Sequence, residues 1–331
     1  MLSFRLWPRP LLASLVGIAV GFAALTDRCR AEPWPTQPIK IISPMAAGSG
    51  PDILNRLIAE KLTRALGQTV FVENRPGAAN IVATQAAARA PADGNTLFFG
   101  PSLALAVNPH TFKRLPYDPA KDFIHISMIG KTAFFLLAHP SLPVQSLADV
   151  IALEKAKPGN LSIVVDGPRN SSGLLATWLN KRAGIGLQLI SYTNNPQGVQ
   201  DAIAGRVPLA MLAGLVAGPL IREGRLRPLA VSSSQRLPDF ESVPTMAESV
   251  PGIEFVGWFV LSAPAGTPSE VVNRINREME VIMGDPDLVS RLHEFGFYTD
   301  GAGSVASVTN FVDRQRQDWA QIVSDIGLNA E

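Results

Sequence analysis

The residues best able to do chemistry in this 331-residue chain are its serines, its four histidines and its carboxylates, and their spacing decides what each could do. A serine nucleophile on a sharp strand-to-helix turn needs glycine two residues away on each side. Gly100-Pro101-Ser102-Leu103-Ala104 comes closest and lacks the second glycine. His110, His125, His139 and His293 are far apart, and none has another histidine at metal-ligand spacing. They read as packing or surface residues. No pair of carboxylates is singled out by its neighbours as an acid and a base.

One stretch has the outline of an anion site. "PMAAGSGPDILNRL", residues 44–57, follows an apolar run containing Ile39, Ile41 and Ile42 and leads into a helical pattern. A phosphate-binding P-loop needs Lys and Ser or Thr after its second glycine, and a dinucleotide-binding turn needs a third glycine three residues further on. Pro51, Asp52 and Ile53 stand there instead. The Asp52 carboxylate at the helix start would repel phosphate from the backbone N–H groups that should hold it. The loop keeps the geometry of a phosphate cradle without its chemistry.

The elements that must position this loop alternate along the chain. Apolar runs at 39–43, 69–72 and 96–99 read as strands, with helical spacing at 52–66 and 80–90 between or after them. A second series follows, with strands at 161–165, 187–190 and 209–212 and helices at 147–155, 172–182 and 197–204. Alternation of this kind predicts parallel βαβ units and two doubly wound α/β sheets. Apolar stretches at 126–139 and 226–232 flank the second series, and a strand at 255–262 and helices at 269–283 and 304–326 close the chain. The reading is one discontinuous domain from 32–132 and 232–331, a second from 133–231, and two crossings near 130–135 and 228–234. Proline-rich loops at 115–119 and 263–268 punctuate elements without separating domains.

Composition bounds the compartment. Arg5 and Arg9 precede an apolar stretch over 11–25, and Cys29-Arg30-Ala31 follows, the pattern of a cleaved secretory leader over 1–31 with export to the periplasm. An uncleaved anchor is the alternative; the apolar run is shorter than the roughly 20 residues a transmembrane helix needs. The leader carries four basic residues and one acidic one, so its loss moves the formal charge from +1 to about −2. That balance gives no reason to expect nucleic acid or an anionic membrane as partner. The single cysteine, Cys29, leaves with the leader, so neither a disulfide nor thiol chemistry is expected of the rest.

Several segments, in order, carry a resemblance. Trp34-Pro35, residues 39–42 and 44–56, "VFVENRPGAAN" at 70–80, "PADGNTLFFG" at 91–100 and "NPHTFKRLPYDPAKDF" at 108–123 are followed by "LRPLAVSSSQR" at 226–236, "VPTMAES" at 243–249 and "LSAPAGTP" at 261–268. Together they resemble the substrate-binding proteins of tripartite tricarboxylate transporters, the Bug family of periplasmic binding proteins. The resemblance implies a type 2-like periplasmic-binding-protein fold, two α/β domains joined by two hinge crossings that close on a small carboxylate. It implies no enzyme, cofactor or metal. The implied partner is a two-subunit membrane permease or a sensor, with the binding protein itself a monomer. An exported hydrolase or lyase on the same scaffold is the alternative.

The resemblance also implies where the ligand sits. In the first loop Met45, Ala46, Gly48, Ser49, Gly50 and Asp52 would meet a carboxylate through backbone N–H groups and bridging waters. Gly48 and Gly50 allow close approach, Pro51 suits the first helical turn, and the helix dipole favours an anion. Asp52 either orients a water or ligand hydroxyl or ammonium, or only caps the helix. Pro101 and Ser102, just after the third strand, and Leu212 and Ala213, at and just after the end of the last strand of the second series, are also expected at the ligand. The facing turn holds Arg169, Asn170, Ser171 and Ser172, with Tyr192 and Asn194 beside it. Gly173 stands where relatives carry histidine, only Tyr192 survives of a Tyr-Lys-Gly-Gly stretch, and Pro208 replaces an acidic or amide residue. Arg169 stands where relatives have glycine, and is either a cation for a second carboxylate or a solvated loop arginine. Arg75 reads as structural.

Overall fold

A computed structural model describes residues 34–192, 195–294 and 296–330. The expected leader over 1–31, and with it Cys29, lies outside the described residues. Among the described residues no helix is long and apolar enough to cross a membrane.

The first elements form as their side-chain pattern dictates. Strand β1 (Ile39–Ser43) is followed by helix α1 (Gly50–Leu66), which buries Leu54, Ile58 and Leu62 at four-residue spacing on one face. Pro51 sits in the first turn of α1, where its missing N–H costs nothing, and Gly67 ends the helix in the left-handed conformation at φ 68°. Strand β2 (Val70–Asn74), helix α2 (Ile81–Ala88) and strand β3 (Thr96–Pro101) complete this series, and β1 pairs in parallel with both β2 and β3. A short helix α3 (Asn108–Thr111) leads to the 16-residue strand β4 (Phe123–Ala138).

β4 unites the two strand groups. Its residues up to Ala133 pair antiparallel with β9 (Val256–Pro264), which also pairs with β3. From Phe134 onward β4 pairs instead with β7 (Leu209–Ala213) and β8 (Arg227–Val231). β7 continues in parallel to β5 (Ser162–Val165) and β5 to β6 (Gln188–Ser191). The order is β2-β1-β3-β9-β4-β7-β5-β6 with β8 also on β4. The two doubly wound strand groups expected from the alternation are present, each with a parallel set; one long strand joins them, and both β9 and β4 run antiparallel to their neighbours. The long apolar run at 126–139 showed no single period because it is a strand buried on both faces for most of its length.

The helices of the second group are α4 (Leu147–Ala156), α5 (Ser171–Ala183), α6 (Asn195–Ile203) and α7 (Gly214–Arg222). A single turn, α8 (Met246–Ser249), starts with a capping box between Thr245 and Glu248. Returning to the first group, the chain forms α9 (Ser269–Met283), α10 (Pro286–Glu294) and α11 (Val305–Ile326). Ser304 caps α11 by accepting from the Ser307 N–H at 3.2 Å, and Trp319, Ile322 and Val323 bury its inner face in a core that includes Phe98, Leu136, Phe255 and Trp258. A second apolar cluster, with Phe135, Leu137, Val164 and Leu220, fills the other face of β4. Together residues 37–331 form one compact unit.

Candidate functional site

The loop between β1 and α1 is tied from within. Asp52 is 1 % exposed and turns its carboxylate back into the loop. Oδ2 accepts from the Gly48 N–H at 2.8 Å and from Arg56 Nε at 2.9 Å, and Oδ1 accepts from Asn74 Nδ2 at 2.6 Å. Asn74 also donates to the Met45 carbonyl at 3.0 Å, and Ser49 Oγ donates to the Ala46 carbonyl at 2.7 Å. Burial alone would raise the Asp52 pKa, but bonds from Asn74, the Gly48 N–H and Arg56 outweigh it and hold the carboxyl below its ordinary value. Gly48 carries φ 79°, which suits glycine. With Asp52 holding the turn, the N–H groups of Ala46, Ala47 and Gly50 donate to no protein acceptor among the described residues. They are donors left without a protein partner at the positive end of a 17-residue helix.

The second group of strands ends around a cavity of about 160 Å³. Ser171, Ser172, Tyr192, Leu212 and Ala213 line it, five of the residues expected at the site. Apolar walls come from Phe134, Val164, Val165, Met211 and Val199, and Val216 of α7 closes one side. Asp166, absent from the sequence-based expectation, is the one charged residue in that lining. Its carboxylate accepts from the Ser172 hydroxyl, while its own N–H donates to Ser172 Oγ at 2.8 Å. Burial is the largest influence and pushes its pKa above the ordinary value, against the Ser172 hydroxyl and the backbone N–H groups of Ser172 and Gly173. A carboxylate closing an apolar strand, one residue before a glycine turn and five before a helix, is a signal that could have found it.

The N-terminus of α5 closes tightly on this turn. A Cβ on Gly173 would lie 1.9 Å from the Gly167 carbonyl oxygen, so no side chain fits at this position. Asn170 holds the N-cap position and donates from Nδ2 to the Asp166 carbonyl at 3.0 Å. The two halves of the expected site approach through α7: Val216 lines the cavity, and the Leu215 side chain packs so closely against α1 that a Cβ on Gly50 would lie 2.2 Å from its Cδ2.

Other expected residues are placed differently. The Arg169 guanidinium donates to the Thr111 carbonyl at 3.3 Å and to the Asn329 carbonyl at 3.1 Å, and does not line the cavity. These bonds direct it toward the C-terminal segment, at a position the sequence reading gave either to a cation for a second carboxylate or to a solvated loop arginine. Tyr192 contributes its ring, while its hydroxyl donates to Asp201 at 2.7 Å. Pro101 pairs with Phe259 at the end of β3, and buried Ser102 accepts from the Trp258 N–H at 3.5 Å; neither lines the cavity. Asn194 lies outside the described residues. Arg75 pairs with Glu73, as its structural reading requires.

The histidines stay apart from both parts of the site. His125 is buried beside Ser262 at 3.0 Å, and desolvation, with the nearby Arg316 charge, pulls its pKa down to about 4. His139 bonds Ser141, and His293 lies against the Tyr298 ring. Burial likewise lowers the His110 pKa. Among the described residues no group of three metal-ligating side chains comes together.

A mixed α/β chain whose strand groups share one long strand, with a donor-lined loop ending one group and a cavity ending the other, has the fold of a periplasmic binding protein. The family model described as "Tripartite tricarboxylate transporter family receptor" matches residues 54–328, and the chain belongs to that family, whose members are solute-binding proteins. Protein BugT of Bordetella pertussis is 31 % identical over 322 residues, covering 96 % of this chain and 97 % of that one. The structure of R. palustris Rpa4515 with adipate is similar at 31 % identity and TM-score 0.81, over 90 % of this chain and 100 % of that one. MatC of Rhodopseudomonas palustris with bound malate is similar at 25 % identity and TM-score 0.76, over 88 % and 100 %.

Proposed function

We propose that this protein is an exported solute-binding protein that captures a small carboxylate between the β1–α1 loop and the cavity beneath α5 and α7. The observation that carries the reading is that the N–H groups of Ala46, Ala47 and Gly50 have no protein acceptor among the described residues, while Asp52 is bonded inside the loop. Unbonded donors at a helix N-terminus suit a planar, singly charged carboxylate, and the helix dipole adds to them. Asp52 is then a positioning residue. Gly48 and Gly50 bring the backbone close to the ligand, with Met45, Ala46 and Ser49 shaping the loop. Ser171, Ser172, Tyr192, Leu212 and Ala213 contact the rest of the ligand, and Asn170 braces their turn.

Relatives named with adipate and with malate support a carboxylate ligand. The change of partners in β4 between Ala133 and Phe134, and the return of the chain between Val231 and Val256, support domains of 32–132 with 232–331 and of 133–231. Closure would bend at those two crossings, as in other binding proteins. The protein is exported to the periplasm by a leader over 1–31 and delivers its ligand as a monomer to a two-subunit permease or a sensor; membership of a transporter-receptor family supports the export and the permease. Titration calorimetry with short-chain carboxylates tests the reading. A binding protein gives one-to-one capture with the acid recovered unchanged. Turnover of the acid, or an equal heat with the matched carboxamide, would overturn it.

A further inference from the structure

Among the described residues that line the cavity end of the site, one acid stands without a basic side chain beside it. Asp166 is the sole ionisable acid in the lining, and no lysine, arginine or histidine lines the space with it. Arg169, three residues on, donates to the carbonyls of Thr111 and Asn329. The positive end of α5 is already met by the protein's own carboxylate, through the Ser172 hydroxyl and the N–H groups of Ser172 and Gly173. Gly173 packs closely against the Gly167 carbonyl, so the start of the helix is fixed tightly on this turn. The rest of the lining is apolar apart from Ser171, Ser172 and the Tyr192 ring, so a charge there is poorly screened.

We propose that Asp166 sets the polarity of the ligand: the site takes a carboxylate bearing an ammonium group at its other end, and disfavours a dicarboxylate. The inference rests on the carboxylate reading of the β1–α1 loop and adds the chemistry of the opposite end. An ammonium brings three donors to the Asp166 carboxylate and forms a charge-assisted pair where water is scarce. A second ligand carboxylate would face Asp166 as a like charge at close range, a costly arrangement in a low-dielectric pocket. The apolar walls of Val164, Val165 and Met211 suit a short methylene chain between the two ends.

The test is a calorimetric comparison of three acids of equal chain length, run with three- to six-carbon chains: the alkanoate, the α,ω-diacid and the ω-amino acid. In the wild-type protein the ω-amino acid is expected to bind at least about tenfold more tightly than the diacid. In Asp166→Asn that preference is expected to collapse to near equality. Circular dichroism checks the fold of the variant, and the wild-type series decides the matter alone if Asn is not tolerated. A diacid that binds as tightly as the ω-amino acid overturns the proposal while leaving the carboxylate site intact. Binding by none of the acids overturns the carboxylate reading, and this inference with it.

Discussion

Replacing Asp52 by alanine is expected to cost the protein stability even with no ligand present. Its carboxylate accepts at 2.8 Å from the Gly48 N–H, at 2.6 Å from Asn74 and at 2.9 Å from Arg56. Hydrogen bonds to a charged group contribute about 1.5–3 kcal/mol each, but they are not additive. Arg56 has a half-exposed side chain, so its share is discounted as a surface ion pair to less than about 1 kcal/mol. The remaining two leave a Gly48 N–H and an Asn74 amide without this acceptor, and the loss comes to about 3 kcal/mol. Asp52→Asn keeps the shape but turns an NH₂ toward a donor, for a smaller loss of about 1–2 kcal/mol. Urea unfolding followed by circular dichroism, with an unchanged m-value, measures both. Because the Asp52 pKa is depressed in the folded state, its contribution is full above the ordinary value of 3.8 and is lost as pH falls through the depressed one. The gap between wild type and Asp52→Ala should therefore narrow in acid. An Asp52→Ala loss below about 0.5 kcal/mol at neutral pH would refute the claim that this carboxylate holds the loop.

Other predictions follow from packing and titration. Gly173→Ala gains up to about 1 kcal/mol of helix propensity but drives a methyl to 1.9 Å from the Gly167 carbonyl, for a net loss of about 1–3 kcal/mol; a more stable variant would contradict the packing. Ala79 sits at φ 49° between two other left-handed residues, Ala78 and Asn80, so Ala79→Gly should raise the unfolding free energy by up to about 1 kcal/mol in the same urea assay. His125 has its pKa lowered to about 4 by burial, so the unfolded chain takes up protons first and stability falls as pH drops from about 6.5 to 4. The full effect is about 3 kcal/mol, and His125→Gln should flatten that part of the pH–stability curve.

Much of this molecule is legible in its sequence because burial enforces periodicity. The strand at 39–43 and the helix ending at Leu66 have their apolar residues where one face must be covered, and Gly67 marks the stop. Helix α7 is not legible: Gly214, Gly218 and Pro219 are turn signals, and only the buried Ala217 and Leu220 hold the segment helical against them. α10 is hidden for a related reason, since Gly284 and Pro286 announce a break that lasts only one or two residues. The joining of the two strand groups depends on β4 exchanging partners midway, a long-range event with no local signature. In the site, glycines and the positions beside them were readable from backbone demands. The orientation of charged side chains was not: Asp52 turns inward, Arg169 turns toward the C-terminal segment, and Asp166 closes a strand within an otherwise apolar run. Those outcomes depend on partners far along the chain, Asn74 for Asp52 and Asn329 for Arg169.

The most direct test of the central claim is a thermal-unfolding series of the purified protein against matched acids and amides. A ligand that binds only the folded state stabilises it by RT ln(1 + [L]/Kd), so its melting temperature climbs with concentration. The account predicts that at least one short-chain carboxylate raises the melting temperature in this way, while its carboxamide, lacking the charge that the Ala46, Ala47 and Gly50 donors recognise, leaves it unmoved. Equal shifts with acid and amide, or none with any carboxylate, would contradict it.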